Sequence, residues 1–391
     1  MRAINQIRIK WTLLMASLLL LVLPALQAGL NMERFRRPPI GFEVALPRPV
    51  FGWPAVLTGA YPAALESFAT QKIGFRMWLV RPRNQLLFSL FNKPANPEIL
   101  LGKENQLFER AVVRGYLGQL RLTPEVEAAE RVRQLRRLQD TLARRGKLLV
   151  FAIAPAKPSF APELLPDSCQ TSWTKPTNYD RYTSLMRAAG INLVDFGPVF
   201  QRWKVRSAHP LFAPGGTHWS GYGVTLAADT LFRFMEQRGH FQLPSVRQTG
   251  LEVTTAPRYT DNDLLRVLNL LRNPAPPALA YPTLAFDPPR PGQTRPRLLL
   301  IGDSYGWSFI AFYPYLQHLF APKSHFWYYN NEVVWPPISG QAPGSTAVAN
   351  LNLRQELVTH DVVLILFTEH NLVDFDRSFS TNAIKTFDSP R

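Results

Sequence analysis

Three stretches of this chain contain no polar residue: LLVFAIA at Leu148–Ala154, LLLI at Leu298–Ile301 and VVLILF at Val362–Phe367. A strand that is apolar on both faces must be covered on both, as a parallel strand is between two layers of helices. Helical patterns lie between these runs. Thr123 predicts an N-cap with Pro124 at the first helical position, and Val126, Ala129, Val132, Leu135, Leu138 and Leu142 recur at helical spacing until Gly146. The arginines between them, Arg131 to Arg145, form a solvated outer face. A helix at Tyr179–Ala189 and a strand at Ile191–Phe196 complete a β-α-β alternation, whose right-handed crossover makes the strands parallel. The fold class is therefore α/β with a mostly parallel sheet.

The remaining elements are shorter. ILLGKENQLFER, from Ile99, predicts a hairpin, and helices are expected over Leu65–Leu90 with Pro82 interrupting them. Ser220 can cap a helix through Phe234. Helices are expected at Ile310–Phe320 and Ala347–Val358, with a strand at HFWYYN between them. Gly250–Arg297 is proline-dense and predicts a surface excursion between two strands of the main sheet.

The N-terminus carries Arg2, Arg8 and Lys10, followed by a charge-free run from Trp11 to Leu30. This is the pattern of an export signal, either cleaved after Ala28 or retained as an anchor. Positive charge before it leaves the rest of the chain outside the cytoplasm. With a formal charge of +16 the chain suits an anionic polysaccharide or membrane surface, and export argues against nucleic acid. Cys169 is the only cysteine, so no intrachain disulfide forms. The boundaries that follow are 1–29 for the signal or anchor and 30–96 for a Pro/Arg-rich spacer and helical segment. The main domain runs over 97–376, with an insertion at about 246–297, and a tail at 377–391 ends the chain.

Chemistry concentrates at the end of the second apolar run. In LLLIGDSYGWS, Ser304 follows a strand's carboxyl end on a turn between Gly302 and Gly306, the edge at which open α/β sheets bind ligands. The alternative is a serine that only caps the next helix. Of seven histidines, His218 sits in a glycine-lined loop, GGTHWSGYG, from which it can face a cleft. Acyl transfer through a serine needs such a base, donors for the oxyanion, and an acid that orients the base. No group has metal-ligand spacing and no Gly-rich phosphate loop is present, so neither metal nor cofactor is expected.

The order of blocks resembles the AlgX/AlgJ-type alginate O-acetyltransferases with their SGNH-hydrolase-like domain. LGKENQLF, PAKPSFAPELLP, INLVDF, GTHWSGYG, IGDSYGWS and VVLILFTEHNL follow one another as in that family, over roughly Pro97 to Asp374. The resemblance implies a three-layer α/β/α sandwich in the periplasm. It implies acetyl transfer to hydroxyls of an exopolysaccharide, with Ser304 as nucleophile and His218 as base, and a membrane-bound protein that delivers the acetyl donor. Gly302, Asp303, Tyr305 and Trp219, which flank the two residues, are the candidates for oxyanion or substrate contacts. The family's histidine block typically reads Asp-Thr-His-Trp, whereas Gly216 stands here in the acid's place. Glu369, after the last strand, is the preferred substitute acid and Asp195 the second; Asp303 should point away, and Asp229 lies too far along its helix. If no acid substitutes, the chain is a noncatalytic polysaccharide binder or scaffold, and an esterase differs only in its acceptor.

Overall fold

A computed structural model describes residues 2–30, 40–41, 45–169, 175–336 and 346–389. The chain divides into two units, Met1–Asn96 with Leu265–Pro274, and Pro97–Leu264 with Ala275–Arg391.

The first unit is helical: α1 (Arg2–Gly29), α2 (Trp53–Leu57), α3 (Ala60–Lys72) and α4 (Arg76–Phe91). Pro82 lies inside α4 and does not end it, in contrast to the expectation. Part of the expected spacer, residues 31–39 and 42–44, is outside the described residues.

The second unit opens with β1 (Ile99–Leu101), antiparallel to β2 (Leu107–Glu109), then α5 (Arg110–Tyr116), α6 (Glu125–Ala143) and β3 (Leu148–Ala154). There follow α7 (Lys157–Phe160), α8 (Asn178–Ala188), β4 (Leu193–Asp195), α9 (Phe196–Lys204) and α10 (Gly221–Gly239). Next come β5 (Val246–Thr254), α11 (Asp263–Val267), β6 (Leu279–Phe286), β7 (Leu298–Gly302), α12 (Tyr315–Leu319) and β8 (His325–Tyr328). The chain ends with β9 (Glu332–Trp335), β10 (Thr346–Ala347), α13 (Leu353–Thr359), β11 (Val362–Thr368) and α14 (Phe379–Asp388). α11 begins in this unit at Asp263 and runs on into the first.

The main sheet has the order β10-β9-β8-β7-β11-β3-β4. β8, β7, β11, β3 and β4 are parallel, and β9 and β10 antiparallel. Every residue of β3, β7 and β11 is buried, as their composition requires. Alternate residues serve opposite faces. Leu148, Val150, Leu298, Leu300, Val362 and Leu364 join a core with Phe200 of α9 and Val224, Leu231 and Met235 of α10. Leu149, Phe151, Leu299, Ile301, Val363 and Ile365 join a second core with Val132, Leu135 and Leu138 of α6, Met186 of α8 and Ile384 of α14. The result is an α/β/α sandwich. Because the central strands are parallel, β3, β4, β7 and β11 all deliver their following loops to one edge.

Three local expectations change. Thr123 is buried and its side chain makes no cap; Pro124 flanks α6 instead. The helices expected at Ile310–Phe320 and Ala347–Val358 shrink to α12 and α13. The proline-dense insertion contains a long antiparallel pair, β5 with β6, in which Pro282 stands opposite Leu251. A two-stranded sheet consists only of edges, where a residue without an N–H is tolerated.

Candidate active site

Ser304 opens a 3₁₀ turn directly after β7. The strand ends tightly against β11: a Cβ on Gly302 would stand 2.4 Å from the Leu366 carbonyl oxygen, so only glycine fits. Asp303 is fully buried and turned away from the cleft. Its carboxylate accepts from the Tyr305 N–H at 3.0 Å, the Thr368 N–H at 2.7 Å and Asn371 Nδ2 at 2.7 Å, and from the Thr368 hydroxyl. That network ties the nucleophile turn to the end of β11.

The histidine loop is held from below by Lys157. Its ammonium is fully buried and shares its three N–H donors among four carbonyl oxygens, those of Leu107 at 2.9 Å, Ala213 at 2.8 Å, Pro214 at 2.9 Å and Gly216 at 2.9 Å. Burial presses its pKa down to about 7, while the charges of Asp263 and Asp261 oppose that shift. On the far side of the loop Ser220 caps α10, accepting from the Gly223 N–H. Trp219 is buried and donates from Nε1 to Ser308 Oγ at 2.7 Å. The Tyr305 hydroxyl lies 3.0 Å from the Thr217 carbonyl oxygen and 3.2 Å from that of Pro155.

Between these supports His218 Nε2 lies 2.8 Å from Ser304 Oγ, and His218 Nδ1 lies 2.7 Å from Asp263 Oδ2. The other oxygen, Oδ1, accepts from the Thr217 N–H at 3.0 Å and the Leu264 N–H at 2.7 Å. Both ring nitrogens are thus engaged. With a carboxylate on Nδ1 the proton rests there, and Nε2 is the acceptor facing the hydroxyl. Burial disfavours the imidazolium, but the hydrogen bond and charge of Asp263, aided by Asp303 and Glu109, prevail and raise its pKa above the ordinary histidine value. Glu109 is itself shifted up by burial.

The carboxylate within hydrogen-bond reach of His218 is therefore that of Asp263, and Glu369 lies elsewhere. The Glu369 carboxyl accepts from the Ala156 N–H at 3.1 Å and Ser159 Oγ at 2.8 Å, and burial pushes its pKa up to about 8. It lines a separate crevice with Tyr116, Ser159, Tyr179 and His370. Asp195 caps α9, accepts from the Tyr179 hydroxyl and pairs with Arg187, and Asp229 pairs with Arg233. Gly302, Asp303, Tyr305 and Trp219 are all buried next to the serine and histidine.

The surroundings of Gly216 show why no side chain stands there. A Cβ there would lie 2.5 Å from the Thr260 carbonyl oxygen and 3.2 Å from the backbone of Asp261. The segment leading to Asp263 occupies the space that a side chain at 216 would need. The inserted β-pair fixes that segment: the Tyr281 hydroxyl of β6 donates to Asp261 at 2.7 Å, and Asp261 is buried with its pKa pushed up to about 7. The insertion appeared only as proline density in the sequence, so Asp263 was missed. The glycine in place of an acid was the one available sign that another segment approaches.

Among the described residues one trio of metal-ligand type comes together, His325, Glu356 and His360. It lies at the amino edge of the sheet, away from Ser304. Its members bond to one another, His325 Nδ1 to Glu356 Oε2 at 2.9 Å and His360 Nδ1 to the Glu356 carbonyl at 2.8 Å. Folding, not sequence spacing, assembled it.

The profile of the SGNH hydrolase-like domain of acetyltransferase AlgX matches residues 99–324, more than half of the chain. The probable alginate O-acetylase AlgJ of Pseudomonas aeruginosa is 27% identical over 296 residues, 69% of this chain and 70% of that one. Its namesake from Pseudomonas syringae pv. tomato is 26% identical over 211 residues, 52% of this chain. The match spans about half, 49%, of that relative's own length. Among solved structures, the O-acetyltransferase domain of Pseudomonas putida AlgJ superposes with a TM-score of 0.46 at 20% identity, covering 74% of this chain and all of that one. Pseudomonas aeruginosa AlgX gives 0.46 at 16% identity, covering 74% of this chain and 67% of its own. The chain belongs to the family of SGNH hydrolase-like domains of AlgX-type acetyltransferases.

Proposed function

We propose that this protein is an exported O-acetyltransferase that moves acetyl groups onto hydroxyls of an exopolysaccharide through an acetyl-serine intermediate. The observation that carries the reading is the continuous hydrogen-bonded series Ser304–His218–Asp263 at the carboxyl edge of the sheet. His218 Nε2 takes the proton of Ser304 Oγ as the oxygen attacks the acetyl carbonyl of the donor. The bond from Oγ to the acetyl carbon forms, the donor's acyl bond breaks, and the leaving group collects the proton from His218. A sugar hydroxyl then gives its proton to His218 and attacks the acetyl carbon. Ser304 Oγ departs and recovers its proton. The Ser304 N–H, at the opening of a 3₁₀ turn where the first amides lack an intrahelical acceptor, is one oxyanion donor.

Alginate is the polysaccharide named for the relatives, and an alginate-like acidic chain is the acceptor class that suits a basic protein. The noncatalytic binder alternative rests on Gly216 and on the basic charge; Asp263 beside His218 weakens the first ground, and the charge suits binder and enzyme alike. The donor arrives through a membrane-bound partner, and the domain works in the periplasm on a retained anchor. Ile7–Ala28 is long and apolar enough to cross a membrane. At its C-terminal end, Gln27 is buried with its side-chain oxygen accepting from the Phe75 N–H at 3.1 Å, and a Cβ on Gly74 would stand 2.1 Å from the Pro24 carbonyl oxygen. A segment destined for removal has no need of such fitted contacts. In cells making the polysaccharide, Ser304→Ala and His218→Ala should each abolish acetylation; unchanged acetyl content with either variant overturns the proposal.

A further inference from the structure

α2 and α3 do not contain a single buried residue among the described ones. Helices of 5 and 13 residues that bury nothing are marginal in water, because most helical stability in proteins comes from packing an apolar face. α4 presents a related problem. Its inner face, Met77, Asn84 and Phe88, is buried, and Asn84 Nδ2 donates to the Leu268 carbonyl at 2.8 Å. A second apolar stripe, Trp78, Leu79, Leu86 and Leu90, lies within about 120° of arc at 100° per residue and is exposed, Trp78 at 61% and Leu90 at 70%. A helix that is apolar on two sides needs two partners, and the described residues supply one. Trp53, 69% exposed, extends the apolar surface on α2.

Charge and position say what covers it. From Ala45 to Asn96 the cations are Arg48, Lys72, Arg76, Arg81, Arg83 and Lys93, and Glu66 is the only acid. The elbow between α3 and α4, Gly74–Phe75, packs directly on the C-terminal end of α1, where the membrane-crossing stretch ends. Exposed tryptophans, exposed leucines and a net positive charge at the end of a membrane span are the attributes of a segment lying in the lipid headgroup zone.

We infer that α2, α3 and α4 form a foot that lies on an anionic phospholipid surface at the outer end of α1. The foot rests on the reading of α1 as a retained anchor, and the two are tested separately. Single cysteines replace Trp53, Trp78 or Leu90 in the full chain carrying Cys169→Ala, with Val126 and Val205, both more than 80% exposed on the second unit, as controls. Each variant is labelled with an environment-sensitive fluorophore and reconstituted into phosphatidylcholine–phosphatidylglycerol nanodiscs, with unchanged thermal unfolding required of each. The foot predicts severalfold quenching of the three labels by headgroup-proximal nitroxide lipid, weak quenching by aqueous iodide, and the reverse at both controls. Labels on α2 and α4 that respond to iodide like the controls overturn it. So do labels that become shielded from both quenchers only when a membrane-protein partner is added. Intact mass of the membrane-extracted chain reads the anchor: a chain starting at Gly29 overturns retention, and lipid quenching of that shorter chain would still support the foot.

Discussion

Asp263→Asn keeps the shape of the side chain at the start of α11 and reverses one hydrogen bond. The amide oxygen can still accept from the Thr217 and Leu264 N–H groups, at 3.0 and 2.7 Å in the parent. The amide nitrogen, however, donates toward His218 Nδ1. The ring then carries its proton on Nε2, which at 2.8 Å from Ser304 Oγ can no longer accept one. In a serine triad the same reversal costs about 10⁴ in turnover, or about 5.4 kcal/mol at 1.36 kcal/mol per tenfold. The Asp263 side chain is 28% exposed, so water substitutes for part of its role, and a loss of about 10² to 10⁴ is expected. Turnover of an activated acetyl ester by the purified chain measures it, with circular dichroism to confirm folding. Parental turnover in Asp263→Asn would refute the assignment of the acid. A companion variant tests the geometry behind it. Gly216→Asp restores the family's usual acid on paper, but its Cβ meets the Thr260 carbonyl oxygen, so Gly216→Asp with Asp263→Ala should remain inactive. Recovery of turnover in that double variant would show that the 260–263 segment does not own the space.

Other expectations follow from the same groups. The His218 pKa is raised and the working base is neutral, so activity should fall as pH drops through a value above that of an ordinary histidine, and Asp263→Asn should move that acid limb to lower pH in its residual rate. Glu369→Gln should leave turnover near the parent's, because Glu369 does not touch His218 and its carboxyl holds its proton up to about pH 8; a loss matching Asp263→Asn would contradict this. A folded-state pKa raised above the unfolded one means that the native state binds more protons between them. The parent therefore loses stability as pH rises from the ordinary carboxyl range through about 8, and Glu369→Gln should flatten that slope in thermal unfolding. Lys157→Met removes the buried donor that gathers the carbonyls of Leu107, Ala213, Pro214 and Gly216 and should cost about 1 to 3 kcal/mol, read as a lower denaturation midpoint.

The sandwich was legible because LLVFAIA, LLLI and VVLILF admit one environment, and β3, β7 and β11 form at those positions. Ser304 and His218 were legible because strand-to-turn and glycine-loop chemistry are local. The acid was not. Asp263 lies 45 residues from His218, on a segment set by the pairing of β5 with β6, and burial patterning in β5 is too weak to announce a strand. Glu369 had the right address, at the end of β11, but its side chain is taken by Ala156 and Ser159, a partnership between loops after different strands. The part played by Lys157 has the same origin, since its four acceptors come from two distant segments.

Incubation of the purified chain with an activated acetyl ester, acid quenching and peptide mass mapping test the central claim most directly. One added acetyl group is expected on the peptide containing Ser304, formed rapidly in the parent, absent in Ser304→Ala and slowed in Asp263→Asn. An acetyl group on another residue, or parental turnover with no adduct at Ser304 at any time, would contradict it.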